Sequence, residues 1–213
     1  MKTKSTMIHD ALILCVITLC CGLLVAFFHE LTAGPIAANE QAQKQKAYQS
    51  IFAEGESFDA EPAVLSGEEA GTYGQQILAE SDRSYGNMTV DEIVEVKDAG
   101  GSFVGYIVSV TSGDGYGGDI SISVGVDAKG SISGVEILSI SETAGLGMKA
   151  KEESFRSQYT GKNVEAFTVT KMGAVSDDEI DALSGATITS RAMTNSVNAA
   201  LAVANALLEG GAD

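Results

Sequence analysis

An apolar run near the start sets the first limit on what this chain can become. From residue 11 to residue 28 every side chain is apolar or small except Thr18. At a rise of ~1.5 Å per residue, a helix over that stretch crosses most of a bilayer's hydrocarbon, so it is expected to be one transmembrane helix. Lys2 and Lys4 precede the run, and no Lys or Arg follows until Lys44. The positive-inside bias then puts residues 1–10 in the cytoplasm and the bulk of the protein outside. A cleavable signal peptide starts in a similar way. This run is long for one, however, and the small-residue site around Ala37 and Ala38 has Ile36 at its third position, so the helix is expected to be retained.

The 3 cysteines, Cys15, Cys20 and Cys21, all fall inside the apolar run. The exported part therefore has no thiol for a disulfide or a thiolate metal site. Leu19 before Cys20, and Cys20 before Cys21, are not the small residue that a lipoprotein signal places ahead of its cysteine, so lipidation is not expected. Of the 29 acidic and 13 basic residues, only Asp10, Glu30, Lys2 and Lys4 lie in the first thirty, so the exported part carries the net charge of -16. Such a surface repels nucleic acid, and its ordinary meaning is solubility.

Gly34 and Pro35 punctuate the membrane exit, and residues 36–52, rich in Ala, Gln and Lys, read as a helix within a membrane-proximal linker of residues 29–55. Residues 56–213 form the exported domain. Residues 57–69 are acidic and patternless and read as loop. Runs rich in β-branched residues at 92–96, 102–110, 119–126 and 132–140 are strands. The turn sequences Asp98-Ala99-Gly100-Gly101 and Asp127-Ala128-Lys129-Gly130 separate them as hairpin connections, giving an antiparallel meander. A helix at 149–158, a strand at 164–171 and a long helix at 188–208 follow. The last helix places Met193, Val197, Ala200, Leu201, Ala204 and Leu208 on one stripe, which predicts packing on the sheet. Strands followed by flanking helices define an α+β domain.

The segment that carries chemistry is Asp181-Ala182-Leu183-Ser184-Gly185-Ala186-Thr187-Ile188-Thr189-Ser190, at the mouth of the last helix. Gly185 and Ala186 make a turn with little side-chain bulk, which presents Thr187 in a first helical turn where amide N–H groups and the positive end of the dipole favour a phosphate. A hydroxyl there is well placed to hold a phosphoester. Ser184, Thr187 or Thr189 could equally be a plain helix cap that needs no ligand.

The Ser184-Gly185-Ala186-Thr187 block with Ile188-Thr189-Ser190 resembles the flavinylation motif of the FMN-binding domain family, found in the RnfG component of the Rnf complex and in the corresponding component of the sodium-pumping NADH:quinone reductase. Gly115-Tyr116-Gly117-Gly118, with Ile120 and Val124-Gly125-Val126-Asp127, resembles the family's glycine-rich strand entry. Ser141-Glu142-Thr143-Ala144-Gly145-Leu146-Gly147 resembles its flavin-contacting loop, with Ala144 where the family usually has Pro. The compact length and the Ile-Thr-Ser-Arg continuation are more similar to the RnfG component than to the quinone-reductase one.

The resemblance implies FMN joined through its phosphate to Thr187, with Ser184 supporting the phosphate and Gly185 and Ala186 forming the turn. Glu142, Thr143, Leu146 and Tyr116 are implied ring contacts, and Asp181 is the residue read by a flavin transferase during maturation. It further implies an electron-carrying subunit, without a complete catalytic site of its own, in an ion-translocating ferredoxin:NAD oxidoreductase of the cytoplasmic membrane. The partners implied are the other subunits of that complex, the transferase, and membrane lipid around residues 11–28. The flavin-bearing component of the quinone reductase, or another flavinylated carrier, uses the same bond; a non-redox exported adhesion or pilin-like protein is the reading from a different class. With 2 His and no exported Cys, a haem or iron–sulfur centre is not expected.

Overall fold

The computed structural model describes residues 2–52, 64–98 and 100–210, with side chains described from residue 7 onward except at 37. It contains two compact units, Met1–Lys44 and Gln45–Asp213. Helix α1 (Lys2–Ile51) supplies the first unit and enters the second. Its side chains from 7 to 36 are exposed, including Leu12, Leu19, Val25 and Phe28, each more than half accessible. A helix this long and apolar satisfies the length and composition required to cross a membrane. Two of its hydroxyls are satisfied within the helix: those of Thr18 and Thr32 donate to Leu14 O at 3.0 Å and Phe28 O at 2.9 Å. Pro35 does not end the helix, contrary to the punctuation read from Gly34 and Pro35. A proline removes one hydrogen bond, and a long helix with its other bonds intact bends or absorbs that loss.

In the second unit, β1 (Leu65–Ser66), β2 (Met88–Lys97), β3 (Phe103–Ser112), β4 (Ile120–Asp127) and β5 (Ile132–Ile140) form one antiparallel sheet in sequence order, as the meander requires. Asp98 and Asp127 close two of its hairpins by the same device. Asp127 Oδ1 accepts the N–H groups of Lys129 and Ser131 at 2.8 and 2.9 Å, and Asp98 Oδ1 accepts those of Gly100 and Ser102, each at 2.8 Å. Gly130 has φ +81°, a conformation that suits glycine.

Helix α2 (Gly67–Glu80) corrects the loop read at 57–69. Glu68 and Glu69, read as part of a patternless acidic stretch, occupy its first turn, where carboxylates complement the helix dipole. The rest of that stretch, up to residue 63, lies outside the described residues. The helix read at 149–158 is instead a 3₁₀ turn (Gly147–Lys151) followed by the single-turn α3 (Glu153–Arg156). The strand read at 164–171 shrinks to β6 (Thr168–Thr170), paired in parallel with β7 (Glu179–Asp181).

Helix α4 (Thr187–Gly210) lies against the sheet through Met193, Val197, Ala200, Leu201 and Ala204, all fully buried, with Leu208 partly buried beside them. The core below it takes Ile120, Ile122, Val124 and Val126 from one face of β4. Each such side chain removed from water contributes ~1.5–3 kcal/mol, before entropy is counted. The opposite face of the same strand carries small residues. Gly125 and Gly134, paired across β4 and β5, admit the end of α1, and a Cβ at Gly125 would lie 2.1 Å from Ile51 Cγ2. Tyr48 donates to Glu92 Oε2 at 2.9 Å there, and its hydroxyl lies 3.3 Å from Ser109 Oγ, itself 2.8 Å from Ser123 Oγ.

Candidate functional site

The N-terminus of α4 is aimed by a short turn whose every closure is visible. Ala186 N donates to Leu183 O at 3.0 Å, and Gly185 between them has φ +76°, a positive φ favoured at that position of a tight turn. Thr187 follows as the first helical residue, half-buried, and no acidic residue stands in the first turn. An anion at this end meets the unpaired N–H groups of a long helix and no carboxylate in that turn. Ser190, fully buried one turn further on, accepts Leu183 N–H at 2.9 Å and donates to Ala186 O at 2.9 Å.

The second wall is the loop after β5. Thr143 O accepts the N–H groups of Leu146 and Met148 at 3.1 and 3.2 Å, which folds residues 143–148 into a compact knuckle with Leu146 at its tip. Leu146 Cδ2 lies 3.1 Å from the position of a Cβ on Gly185, so the two loops touch. Arg156 holds the following segment to the sheet: it donates to Val135 O at 2.9 Å and to Glu153 Oε2 at 2.9 Å, and it pairs with Glu136.

Glycines let the third wall approach. A Cβ on Gly115 would sit 2.0 Å from Gly118 O, one on Gly117 2.3 Å from Ser141 O, and one on Gly147 2.7 Å from both Glu142 Oε2 and Thr189 Oγ1. Glu142 is the bracket between the walls. Its Oε1 accepts Tyr116 N–H at 2.7 Å, so the carboxylate fixes the 115–118 loop to the 141–147 loop.

The walls enclose a cleft of ≈ 400 Å³ lined by residues 116, 142, 143, 146, 147 and 185–189. Tyr116, Glu142, Thr143, Leu146, Gly185, Ala186 and Thr187, singled out from three separated stretches, are thus brought together. Ser184 is exposed on the turn and is not among the lining residues. Asp181 stands away at the end of β7. Its Oδ1 accepts Ala174 N–H at 2.8 Å, and its own N–H donates to Gln158 Oε1 at 2.7 Å. Gly147, Ile188 and Thr189 complete the lining although the sequence reading assigns them no contact. Their positions beside Glu142 and one or two residues past Thr187 were the available signal.

The cleft suits a ligand with a flat apolar body and an anionic end. Leu146 and Ile188 are 43% and 52% exposed and offer apolar walls, Tyr116 offers an aromatic one, and the helix mouth with the Thr187 hydroxyl offers the polar end. Among the described residues no group of three or more His, Cys, Asp or Glu side chains could hold a metal ion.

A sequence model of the FMN-binding domain matches residues 115–202, the span that supplies all three walls, and one of the RnfG N-terminal region matches residues 1–51. The chain is therefore an FMN-binding protein with a long apolar N-terminal helix. The G component of the Na(+)-translocating ferredoxin:NAD(+) oxidoreductase complex of Acetobacterium woodii is 31% identical over 196 residues, covering 90% of this chain and 88% of that one. The G component of the ion-translocating oxidoreductase complex of Aliivibrio fischeri is 30% identical over 201 residues, covering 92% and 90%. The crystal structure of Shewanella oneidensis NqrC overlaps 70% of this chain and 72% of its own, at 18% identity and a TM-score of 0.47. The chain belongs to the RnfG family, the G components of ion-translocating oxidoreductase complexes.

Proposed function

We propose that this chain is an electron-carrying subunit of a membrane-bound, ion-translocating ferredoxin:NAD oxidoreductase, with its FMN held covalently by a phosphoester on Thr187. The observation that carries this reading is the convergence of residues 116, 142–147 and 185–189 on one cleft whose helical mouth begins at a threonine hydroxyl. FMN, when bound, supplies reversible gain and loss of electrons. Thr187 anchors the phosphate, and the first-turn N–H groups of α4 offset its charge. Leu146, Ile188 and Tyr116 hold the ring and keep water from it, Thr143 offers its hydroxyl, and Glu142 keeps the walls in register.

Attachment calls for an activated donor, because joining FMN itself would expel water into water and is uphill. With a flavin dinucleotide as that donor, the Thr187 oxygen would take the flavin-side phosphorus, the pyrophosphate bond would break, a nucleoside monophosphate would leave and the hydroxyl proton would pass to base. We assign recognition by the transferase to Asp181, which is exposed ahead of the turn. Residues 11–28 span the lipid with residues 1–10 in the cytoplasm, and the FMN domain lies on the outer face; of the linker read at 29–55, residues 48, 51 and 52 pack into that domain's own sheet.

The deciding experiment is intact mass spectrometry of the natively expressed chain and of Thr187→Ala. The native chain is expected to carry the FMN phosphoester increment, and the variant to lack it with an unchanged circular dichroism spectrum. The full increment on Thr187→Ala would overturn the assignment. Copurification with the other subunits of such a complex tests the assembly separately.

A further inference from the structure

The residue that aims Thr187 lies out of sight of the cleft. Ser190 has none of its surface exposed, yet its hydroxyl oxygen accepts Leu183 N–H at 2.9 Å and its proton goes to Ala186 O at 2.9 Å. A helical serine bonding four residues back is ordinary. A serine that also receives an N–H from seven residues back, across a turn, is not explained by that habit. Together with the Ala186 N–H to Leu183 O bond, the hydroxyl closes residues 183–190 into a small ring containing Gly185 and Thr187.

We infer that Ser190 is a positioning residue for flavin attachment, holding the Leu183 to Ala186 turn so that the Thr187 hydroxyl faces the cleft. The inference rests on the reading of Thr187 as the attachment point and adds to it the group that sets its direction. The physical reason is specific. Leu183 N–H is half-buried and its bond to Ser190 is made from outside the helix, so losing the hydroxyl frees the entering strand to reorient without unwinding α4. Attachment demands that one oxygen lie in line with a phosphorus, so small misplacements are expensive in rate.

Ser196 provides an internal control. It too is fully buried on α4 and donates to the carbonyl four residues back, Ala192 O, at 2.9 Å, but it touches Met88 and not the turn. The experiment coexpresses the full-length chain with its flavin transferase and follows covalent FMN by intact mass and by in-gel flavin fluorescence over time. Ser190→Ala is expected to slow labelling at least about tenfold relative to Ser196→Ala, and Ser190→Thr, which restores the hydroxyl, to recover most of it.

Equal labelling rates for Ser190→Ala and Ser196→Ala, with Thr187→Ala unlabelled, would overturn the positioning role while leaving the attachment point intact. Full labelling of Thr187→Ala would instead overturn the attachment point, and the positioning role with it. Amide hydrogen exchange of the unlabelled wild-type chain tests the ring without any variant. Leu183 N–H is expected to be protected, and exchange as fast as in an open loop would overturn the proposal.

Discussion

Two sets of glycines do different work in this molecule. Those of the hairpin turns answer to their nearest neighbours in sequence. Gly130 takes a positive φ because the turn behind Asp127 requires it, and among the described residues a Cβ there would meet side-chain tips alone, the nearest being Asn205 Oδ1 at 3.2 Å. Gly185 at the cleft is of this kind too, but two other cleft glycines answer to residues far along the chain. Gly117 and Gly147 are not among the positive-φ glycines, and their Cβ positions fall on Ser141 O at 2.3 Å and on Thr189 Oγ1 at 2.7 Å. A glycine-rich motif therefore marks either a bend or a close approach, and the two have different consequences when broken.

The largest effect is expected where a Cβ meets backbone. Gly117→Ala would place a carbon 2.3 Å from Ser141 O, so the 115–118 and 141–147 loops must separate. Overpacking of this kind costs ~1–3 kcal/mol, which corresponds to roughly a ten- to hundredfold loss of reversible FMN affinity. That affinity is to be measured on the Thr187→Ala background by fluorescence titration. An unchanged affinity would show that the wall is not a wall.

Glu142 gives the next test, since it holds the same two loops by a bond instead of by contact. Glu142→Ala takes the acceptor from an exposed Tyr116 N–H, which water can then satisfy, at a cost of ~0.5–1.5 kcal/mol, whereas Glu142→Gln keeps an acceptor at Oε1 and should lose less than about 0.5 kcal/mol. Equal losses of FMN affinity in the two variants would point to the charge, not the bracket.

Gly130→Ala is the counterpart on the turn side. A positive φ costs an alanine about 1 kcal/mol, so the melting temperature should fall by about 2–4 °C with FMN affinity untouched.

The smallest effect lies in the core, away from both sets. Tyr159 is fully buried, and burial raises its hydroxyl above the usual 10.0, only partly offset by its hydrogen bond with Thr194 Oγ1 at 2.8 Å. The folded state therefore keeps this proton when the unfolded chain has lost it. Its contribution is complete below about pH 10 and declines as pH rises above that value. Urea midpoints of the wild type and Tyr159→Phe should converge between about pH 9 and about pH 11, and a constant gap would refute the linkage.

Much of the site was legible because its residue types are costly elsewhere. A run of small residues before a threonine at a helix mouth suits a plain cap as well as a phosphate, and it was the two glycine-rich stretches ahead of it, in order, that told between them; the β-branched runs with Asp-led turns could hardly pair otherwise than as a meander. Other features were hidden by their size or their distance. The single-turn α3 and the three-residue strands β6 and β7 are too short to leave a period, and β6 pairs with β7 across eight intervening residues. Ser184 shows the opposite limit, since adjacency to Gly185 in the chain did not bring it to the cleft.

By itself the sequence determined the membrane-length apolar helix, the alternating strands and the stripe on α4, because hydrophobic periodicity is a local property that no fold can evade. It also determined which hydroxyl stands at the helix mouth. Only the tertiary structure decided that Glu142 brackets a loop some twenty-six residues earlier, that Gly147 must have no side chain beside Thr189, and that Ser190 reaches back across the turn. Those are facts about which distant segments meet, and close-packed interiors settle them through contacts that no neighbourhood of the chain contains.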